Sequence, residues 1–146
     1  MGASKARWGK GATISVGGSA VGEILSIGGV EVSRDTADVS NHDSDGDFKE
    51  YIPTFRDGGE VAITGNYVQG DVGQLALGTA AASGAASAIV ITFPKLSTES
   101  AAAKWSFNAI VTKYKPVDEA GTADQLKFGA TLKITGAPTF TDATVA

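Results

Sequence analysis

The sequence predicts a mainly β fold, either two packed sheets or a partly closed barrel, with one α-helix on its flank. Three observations support this prediction. About seven segments carry alternating or clustered apolar residues, the 19 glycines allow many turns, and only one segment has helical spacing. A chain of 146 residues is long enough to form one domain with a real core.

The strand predictions rest on apolar residues that alternate, or cluster between turn signals. The predicted strands are residues 13–16, 21–27, 31–39, 60–68, 87–93, 104–114 and 124–136. Alternation also predicts the residues that face inward: Val61, Ile63, Gly65, Tyr67, Ile89, Ile91, Phe93, Trp105, Phe107, Ala109, Val111, Leu126, Phe128, Ala130, Leu132 and Ile134. Pro138 is expected to end the last strand.

One helix is predicted at residues 72–82. Asp71 is a candidate N-cap, and Gln74 follows three residues later, as in a capping box. Gly84 is expected to end the helix. Helical spacing predicts an inward face made of Val72, Leu75, Ala76, Thr79 and Ala80.

A long acidic loop is predicted at residues 40–59, and it is the most unusual segment of the chain. Eight of the sixteen acidic residues lie between positions 33 and 67. Long loops inside a compact domain are uncommon and are usually functional or disordered. This loop also carries four large apolar side chains, which we expect another surface to cover: Phe48, Tyr51, Ile52 and Phe55.

The predicted organisation is an N-terminal arm at 1–11, a β domain at 12–138 that contains loop 40–59, and a C-terminal tail at 139–146. The arm is basic and free of acids, and Trp8 within it indicates an arm that docks on a surface. The net charge of −4 does not favour general nucleic-acid or membrane-surface binding. There is no cysteine, no apolar run of about 20 residues and no hydrophobic segment behind the basic N-terminus, so a soluble intracellular product is expected.

No catalytic, cofactor or metal site is predicted. Asn41, Asp43 and Asp45 before Gly46 resemble the first half of a calcium loop, but its twelfth position holds Ile52 rather than glutamate. The single histidine, His42, is interpreted as a surface loop residue. The glycine doublets match neither a dinucleotide-binding nor a phosphate-binding loop.

The acidic loop and the basic arm are complementary in charge, and both carry aromatic residues. This pattern favours self-assembly through head-to-tail contacts. The residues expected at contacts between subunits are Arg7, Trp8, Asp43, Asp45, Asp47, Phe48, Tyr51 and Phe55.

Several segments, in order along the chain, resemble the tail tube (major tail) proteins of long-tailed bacteriophages and of phage-like gene transfer agents. They are residues 22–28, 33–44, 48–53, 56–61, 91–94, 105–112 and 133–138. The resemblance implies a β-sandwich with a flanking helix, assembled into hexameric rings that stack into a hollow conduit for DNA delivery to a bacterial cell. It implies contacts of the 40–59 loop and of the terminal arms with a neighbouring ring.

The resemblance also implies partners and a location. The partners are further copies of the chain, tail tip or baseplate, tape-measure and tail terminator proteins, with DNA passing through the lumen without specific binding. The location is the virion tail, after assembly in the bacterial cytoplasm. A lumen of net negative charge would let DNA slide, and Glu23 and Glu60 are candidate lumen-facing acids. The alternatives are a related secretion-system tube, a tailocin tube, and a carbohydrate-binding or adhesive β-sandwich; an enzyme is not expected.

If the basic arm lies at contacts between subunits, deleting residues 1–11 should shorten the polymers that the chain forms. Polymer length measured by electron microscopy tests this expectation. Polymers of normal length would exclude a contribution from the arm.

Overall fold

The computed structural model describes residues 11–95, 97, 99–119 and 126–145, so Arg7 and Trp8 lie outside the described residues. The elements, in chain order, are β1 Thr13–Val16, β2 Ser19–Ala20, β3 Ile24–Ile27, β4 Ser33–Asp38, a 3-10 turn Asp45–Asp47, β5 Tyr51–Asp57, β6 Glu60–Asn66, α1 Val72–Ser83, β7 Ser87–Thr92, β8 Glu99–Ala101, β9 Lys104–Glu119, β10 Lys127–Thr141 and β11 Thr144–Val145. None of the helical segments in this part of the chain has the length and apolar character needed to cross a membrane.

One antiparallel sheet of seven strands, in the order β2-β1-β7-β9-β10-β6-β3, forms the body of the protein. The apolar side chains on one face of this sheet form a single core, which also includes Leu77 of α1. A single sheet can enclose such a core only by curling around it. The predicted mainly β fold with one flanking helix is therefore confirmed, in the form of a partly closed barrel rather than two separate packed sheets.

The predicted inward faces of the long strands are largely confirmed. Val61 and Ile63 of β6 and Leu132 of β10 are completely buried, and most of their predicted counterparts on β7 and β9 are buried as well. Leu126 is an exception, because it precedes β10 and is exposed.

Pro138 does not end β10, contrary to the prediction. The strand continues to Thr141, and the register with β9 shifts between Thr135 and Thr139. The shift removes Pro138 from the ladder, so its missing N–H leaves no hydrogen bond unmade. Gly136, with φ of 81°, supplies the backbone conformation that this bulge needs.

Of the predicted strand at 21–27, only Ile24–Ile27 (β3) forms a strand, and β2 lies just before the predicted segment. β2 forms a hairpin with β1, whereas β3 pairs with β6 at the opposite edge of the sheet. The break falls at Gly22 and Glu23, and Glu23 has a positive φ of 51°. A Cβ atom at Gly22 would lie 2.8 Å from Oδ1 of Asp71, so a larger residue there would displace the helix cap.

The helix begins and ends close to the predicted positions. The Asp71 side chain accepts a hydrogen bond from the backbone N–H of Gln74, and Gly84 adopts the left-handed conformation after the last turn. The predicted inward face is only partly confirmed: Ala80 is buried and Ala76 packs against the core, but Val72, Leu75 and Thr79 are exposed. The helix also buries Gly73, Gln74 and Leu77, which were not predicted to face inward.

Gly73 explains this rotation of the helix. A Cβ atom at this position would collide with the backbone of Ala20 and Val21, so only glycine allows the first turn to pack so closely on the sheet edge. The helical spacing of apolar residues did not identify Gly73 as an inward residue, because it has no side chain that contributes to the pattern.

Gln74 ties the helix to the sheet instead of completing the capping box. Its side chain is buried; Oε1 accepts a hydrogen bond from the backbone N–H of Val68 at 3.1 Å, and Nε2 donates to the carbonyls of Asn66 at 2.9 Å and Gly22 at 3.3 Å. The cap residue Asp71 also accepts from the N–H of Gly22 at 3.2 Å. The end of β6, the bend before β3 and the start of α1 are thus joined by a few polar groups.

In the described part of the chain, two small sheets lie outside the main one. β8 pairs with β11, so parts of the predicted polar connection and C-terminal tail are strands. β4 pairs with β5, so the prediction of one loop over 40–59 is wrong for Tyr51–Asp57. The loop itself spans residues 39–50.

Two substitutions at adjacent positions of α1, one polar to apolar and one apolar to polar, test the role of Gln74. Gln74→Leu should lower the free energy of unfolding by about 1–3 kcal/mol, because it leaves buried backbone groups without partners. The matched change Leu75→Gln, at an exposed position, should stay within about 0.5 kcal/mol of the wild type. Urea unfolding followed by circular dichroism measures both changes, and equal effects would contradict the assignment.

Candidate assembly surface

The β4–β5 hairpin buries almost nothing of its own. Every residue of β5 is exposed, and in β4 only Ala37 is half-buried. Phe55 is 92% exposed and Phe48 in the adjoining loop is 77% exposed, while Tyr51 and Ile52 are about half exposed. A two-stranded antiparallel sheet is at best marginally stable in water, and a cluster of exposed apolar side chains marks an interaction site.

A β-bulge directs Phe55 away from the hairpin. The register shifts opposite Asp35, where β5 supplies two residues, Thr54 and Phe55, against one in β4. The Thr54 hydroxyl donates a hydrogen bond to the Asp35 carbonyl at 2.9 Å, which holds the bulge. Because a bulge reorients the side chains of its strand, the almost complete exposure of Phe55 is a built feature of the hairpin.

The 39–50 loop is held by hydrogen bonds between its own residues. The Ser40 hydroxyl accepts from the N–H of Glu50 at 2.7 Å, and the Ser44 hydroxyl accepts from the N–H of Asn41 at 3.0 Å. Ser44 also donates to Oε2 of Glu50 at 3.2 Å. Across the described ranges, no three acidic or histidine side chains lie close enough together to hold a metal ion.

The loop brings its predicted contact residues together on the tip of the hairpin. Asp45 and Asp47 lie in the 3-10 turn, next to Asp43 and Phe48, and all four are exposed. His42 is also exposed in this loop. The tip therefore presents an aromatic ring among carboxylates.

The base of the hairpin is fixed to the main sheet. Gly58 is buried against Ile134, which leaves no room for a Cβ atom, and the N–H of Ile134 donates to the carbonyl of Gly59 at 3.0 Å. The Lys133 ammonium contacts both carboxylate oxygens of Asp57, at 3.2 and 3.3 Å. The N–H of Gly59 and Lys133 together hold the pKa of the Asp57 carboxyl below its usual value.

The two candidate lumen acids lie at different places on the barrel. Glu60 is exposed at the start of β6, but its register partner on β10 is Lys133, which lies on the same part of the sheet. Glu23 is exposed in the bend before β3 and is not part of a strand, contrary to the prediction. The sequence had indicated their charge but not this neighbouring lysine.

Sequence reasoning missed a second surface, on α1. Val72 is 66% exposed and Leu75 is 61% exposed. Beside Leu75 runs a groove of about 400 Å³, here called the α1–β9 groove, which is lined by Tyr67, Val68, Gly70, Asp71, Gln74, Leu75, Gly78, Thr79, Ala82, Tyr114 and Pro116. A signal was available, because the twelve residues of α1 include no charged side chain.

No known protein-family profile matches this sequence, and no curated protein matches it. Several solved structures share its fold. A chain in the sheath/tube terminator of an extracellular contractile injection system matches with a TM-score of 0.73 and 13% identity, over 96% of this chain and 99% of that one. A chain in the virion of a native gene transfer agent matches with a TM-score of 0.71 and 14% identity, over 93% and 99%.

A third match, in the tube-terminating cap of the anti-feeding prophage, has a TM-score of 0.75 and 14% identity, over 98% of this chain and 95% of that one. At such low identity the similarity concerns the fold. The partly closed barrel with one helix is thus the fold found in chains of phage-like tails and injection systems.

The ion pair at the hairpin base predicts a measurable pKa change. Lys133→Met should raise the pKa of Asp57 towards its ordinary value, but not fully, because the Gly59 N–H remains. Since the folded-state pKa is the lower one, the carboxylate stabilises the fold above the unfolded-state pKa, and this stabilisation is lost as the pH falls through the folded-state pKa. An NMR titration of the side-chain carboxyls measures the change.

Asp38 provides an internal control in the same titration. Its pKa is lowered by hydrogen bonds from Ser40, so it should not respond to Lys133→Met. An unchanged Asp57 pKa would show that the ion pair does not form in solution.

Proposed function

We propose that this chain is a structural subunit of a phage-like tail tube, whose copies form hexameric rings that stack into a hollow conduit. The observation that carries the proposal is the β4–β5 hairpin, which exposes both faces and four large apolar side chains while its base is fixed to a rigid barrel. The fold shared with chains of a gene transfer agent and of injection systems supports the same reading.

The energetics favour a partner for the hairpin. Covering a large apolar side chain gains about 1.5–3 kcal/mol, so the exposed residues of one hairpin offer several kcal/mol towards the cost of ordering two copies. The hairpin tip and the arm at 1–11 remain our proposed contacts between neighbouring rings, with Arg7 and Trp8 in the arm facing the carboxylates of the loop.

Ring formation would also protect the edges of the main sheet. Among the described residues, β2 and β3 are the edge strands, each hydrogen-bonded to a neighbour on one side only within the main sheet. Exposed strand edges invite uncontrolled pairing, and a closed ring gives such edges a defined partner.

The proposed cargo of the conduit is DNA, which the net charge of −4 would repel rather than trap. Glu23 and Glu60 are the proposed lumen acids; Lys133, the register partner of Glu60, forms its ion pair with Asp57. The proposed location is the assembled tail, and the proposed partners are tail tip or baseplate, tape-measure and terminator proteins. The role is structural rather than enzymatic.

A second candidate is the tube of an injection or secretion system that delivers protein. The fold similarity favours it equally, because injection-system chains match this chain as well as the gene transfer agent chain does. A carbohydrate-binding sandwich is less well supported, since Trp105 is partly buried and packs against Phe140 with ring centroids 5.0 Å apart.

Negative-stain electron microscopy of the purified chain at high concentration tests the proposal. The wild type should form hollow rings or tubes with six-fold symmetry. Phe48→Ala together with Phe55→Ala should abolish stacking while changing the free energy of unfolding by less than about 0.5 kcal/mol, because both side chains are exposed in the isolated chain.

Phe140→Ala serves as the matched control, because it removes an exposed phenylalanine outside the hairpin and should leave the tubes intact. A wild-type chain that stays monomeric at high concentration would overturn the proposed function. Tubes that persist without Phe48 and Phe55 would remove the hairpin from it.

A further inference from the structure

We propose that the hairpin of one copy inserts Phe55 into the α1–β9 groove of the next copy. This inference rests on the proposed function and names the surface that receives the hairpin. Within one chain the two features are not joined, because Phe55 is 92% exposed and Leu75 at the groove remains 61% exposed.

The groove has the size and chemistry to hold an aromatic ring. Its volume is about 400 Å³, and its walls are the exposed side of α1 and the rings of Tyr67 and Tyr114. Gly78 shapes the helical wall, since a Cβ atom there would lie 3.2 Å from the Tyr114 ring. Burial raises the pKa of the Tyr114 hydroxyl, consistent with an apolar wall.

The outer face of α1 has the composition of a contact surface rather than of a solvated surface. A surface helix normally places charged or polar residues on its outer face, but α1 has no charged residue and exposes Val72 and Leu75 there. Interface cores are likewise depleted of charge and rich in apolar contacts. The same face thus lacks the residues that would keep it solvated.

The positions of the two features predict a head-to-tail contact. The hairpin joins β6 at Glu60, and Tyr67 and the helix follow the other end of the strand at Asn66. A strand of this length spans about 20 Å. A projecting ring at one end and a groove at the other form a heterologous pair, and repetition of such a pair builds a ring or an open stack instead of closing a dimer.

A double-mutant cycle on association tests the contact. Phe55→Ala and Leu75→Asp should each weaken association about tenfold or more, because each removes one side of the same buried contact. The double variant should associate only slightly less tightly than whichever single variant associates less tightly. Sedimentation velocity over a range of protein concentrations measures the association constants of the wild type, the two single variants and the double variant.

Val72→Asp is the matched control, since it places the same charge on the exposed face of α1 but outside the groove lining, and it should weaken association much less. Purely additive losses for Phe55→Ala and Leu75→Asp would show that the two residues act at separate contacts and would overturn the inference.

Photo-crosslinking identifies the partner surface directly. Phe55 is replaced by p-benzoylphenylalanine, which keeps the aromatic ring, and crosslinked peptides are mapped by mass spectrometry. Crosslinks between copies should fall on residues 67–82 and 114–116, whereas the same analogue at Phe140 should not label these segments.

The outcomes separate this inference from the proposed function. If copies assemble but Phe55 crosslinks elsewhere, the groove is not its partner, although the tube proposal stands. If the chain does not self-associate at any accessible concentration, both fail.

Discussion

The structure depends on one constraint: the apolar side chains of the β4–β5 hairpin are not buried by the rest of the described chain. Two strands that cover neither face cannot contribute a core, and the barrel beneath them is already complete without them. What holds the hairpin in place is its base, through Gly58 against Ile134 and the Asp57–Lys133 ion pair. The described residues thus leave this apolar surface uncovered, and this observation underlies both the proposed function and the proposed contact.

Sequence patterns predicted the barrel well where one strand face is buried and the other is solvated. Alternation identified the inward residues of β6 and β10, and the cap at Asp71 followed from residue chemistry alone. β5 was missed for the opposite reason. Because both faces of β5 are exposed, apolar and polar residues need not alternate along it. Pro53 and the neighbouring charged residues are typical of a loop, so the pattern predicted a loop.

The candidate assembly surface was only partly predictable from the sequence. The aromatic residues among the acids indicated a contact, but the bulge that aims Phe55 depends on register with Asp35, which no local pattern encodes. The groove on α1 stayed hidden, because Gly73 and the buried Gln74 turn the helix by an amount that hydrophobic spacing does not record. An uncharged helix was the one clue, and it is a clue about contacts rather than about packing within the chain.

The tight joint at Gly58 has a geometric consequence for any polymer of this chain. Ile134 fills the space beside Gly58, and the carbonyl of Gly59 is bonded to the same residue, so the hairpin leaves the barrel in one direction. A rigid projection that meets the next copy at a constant angle sets the rotation and the rise from one layer to the next. The helical pitch of the polymer would then be determined by Gly58 and Gly59, which lie far from the contacting surfaces.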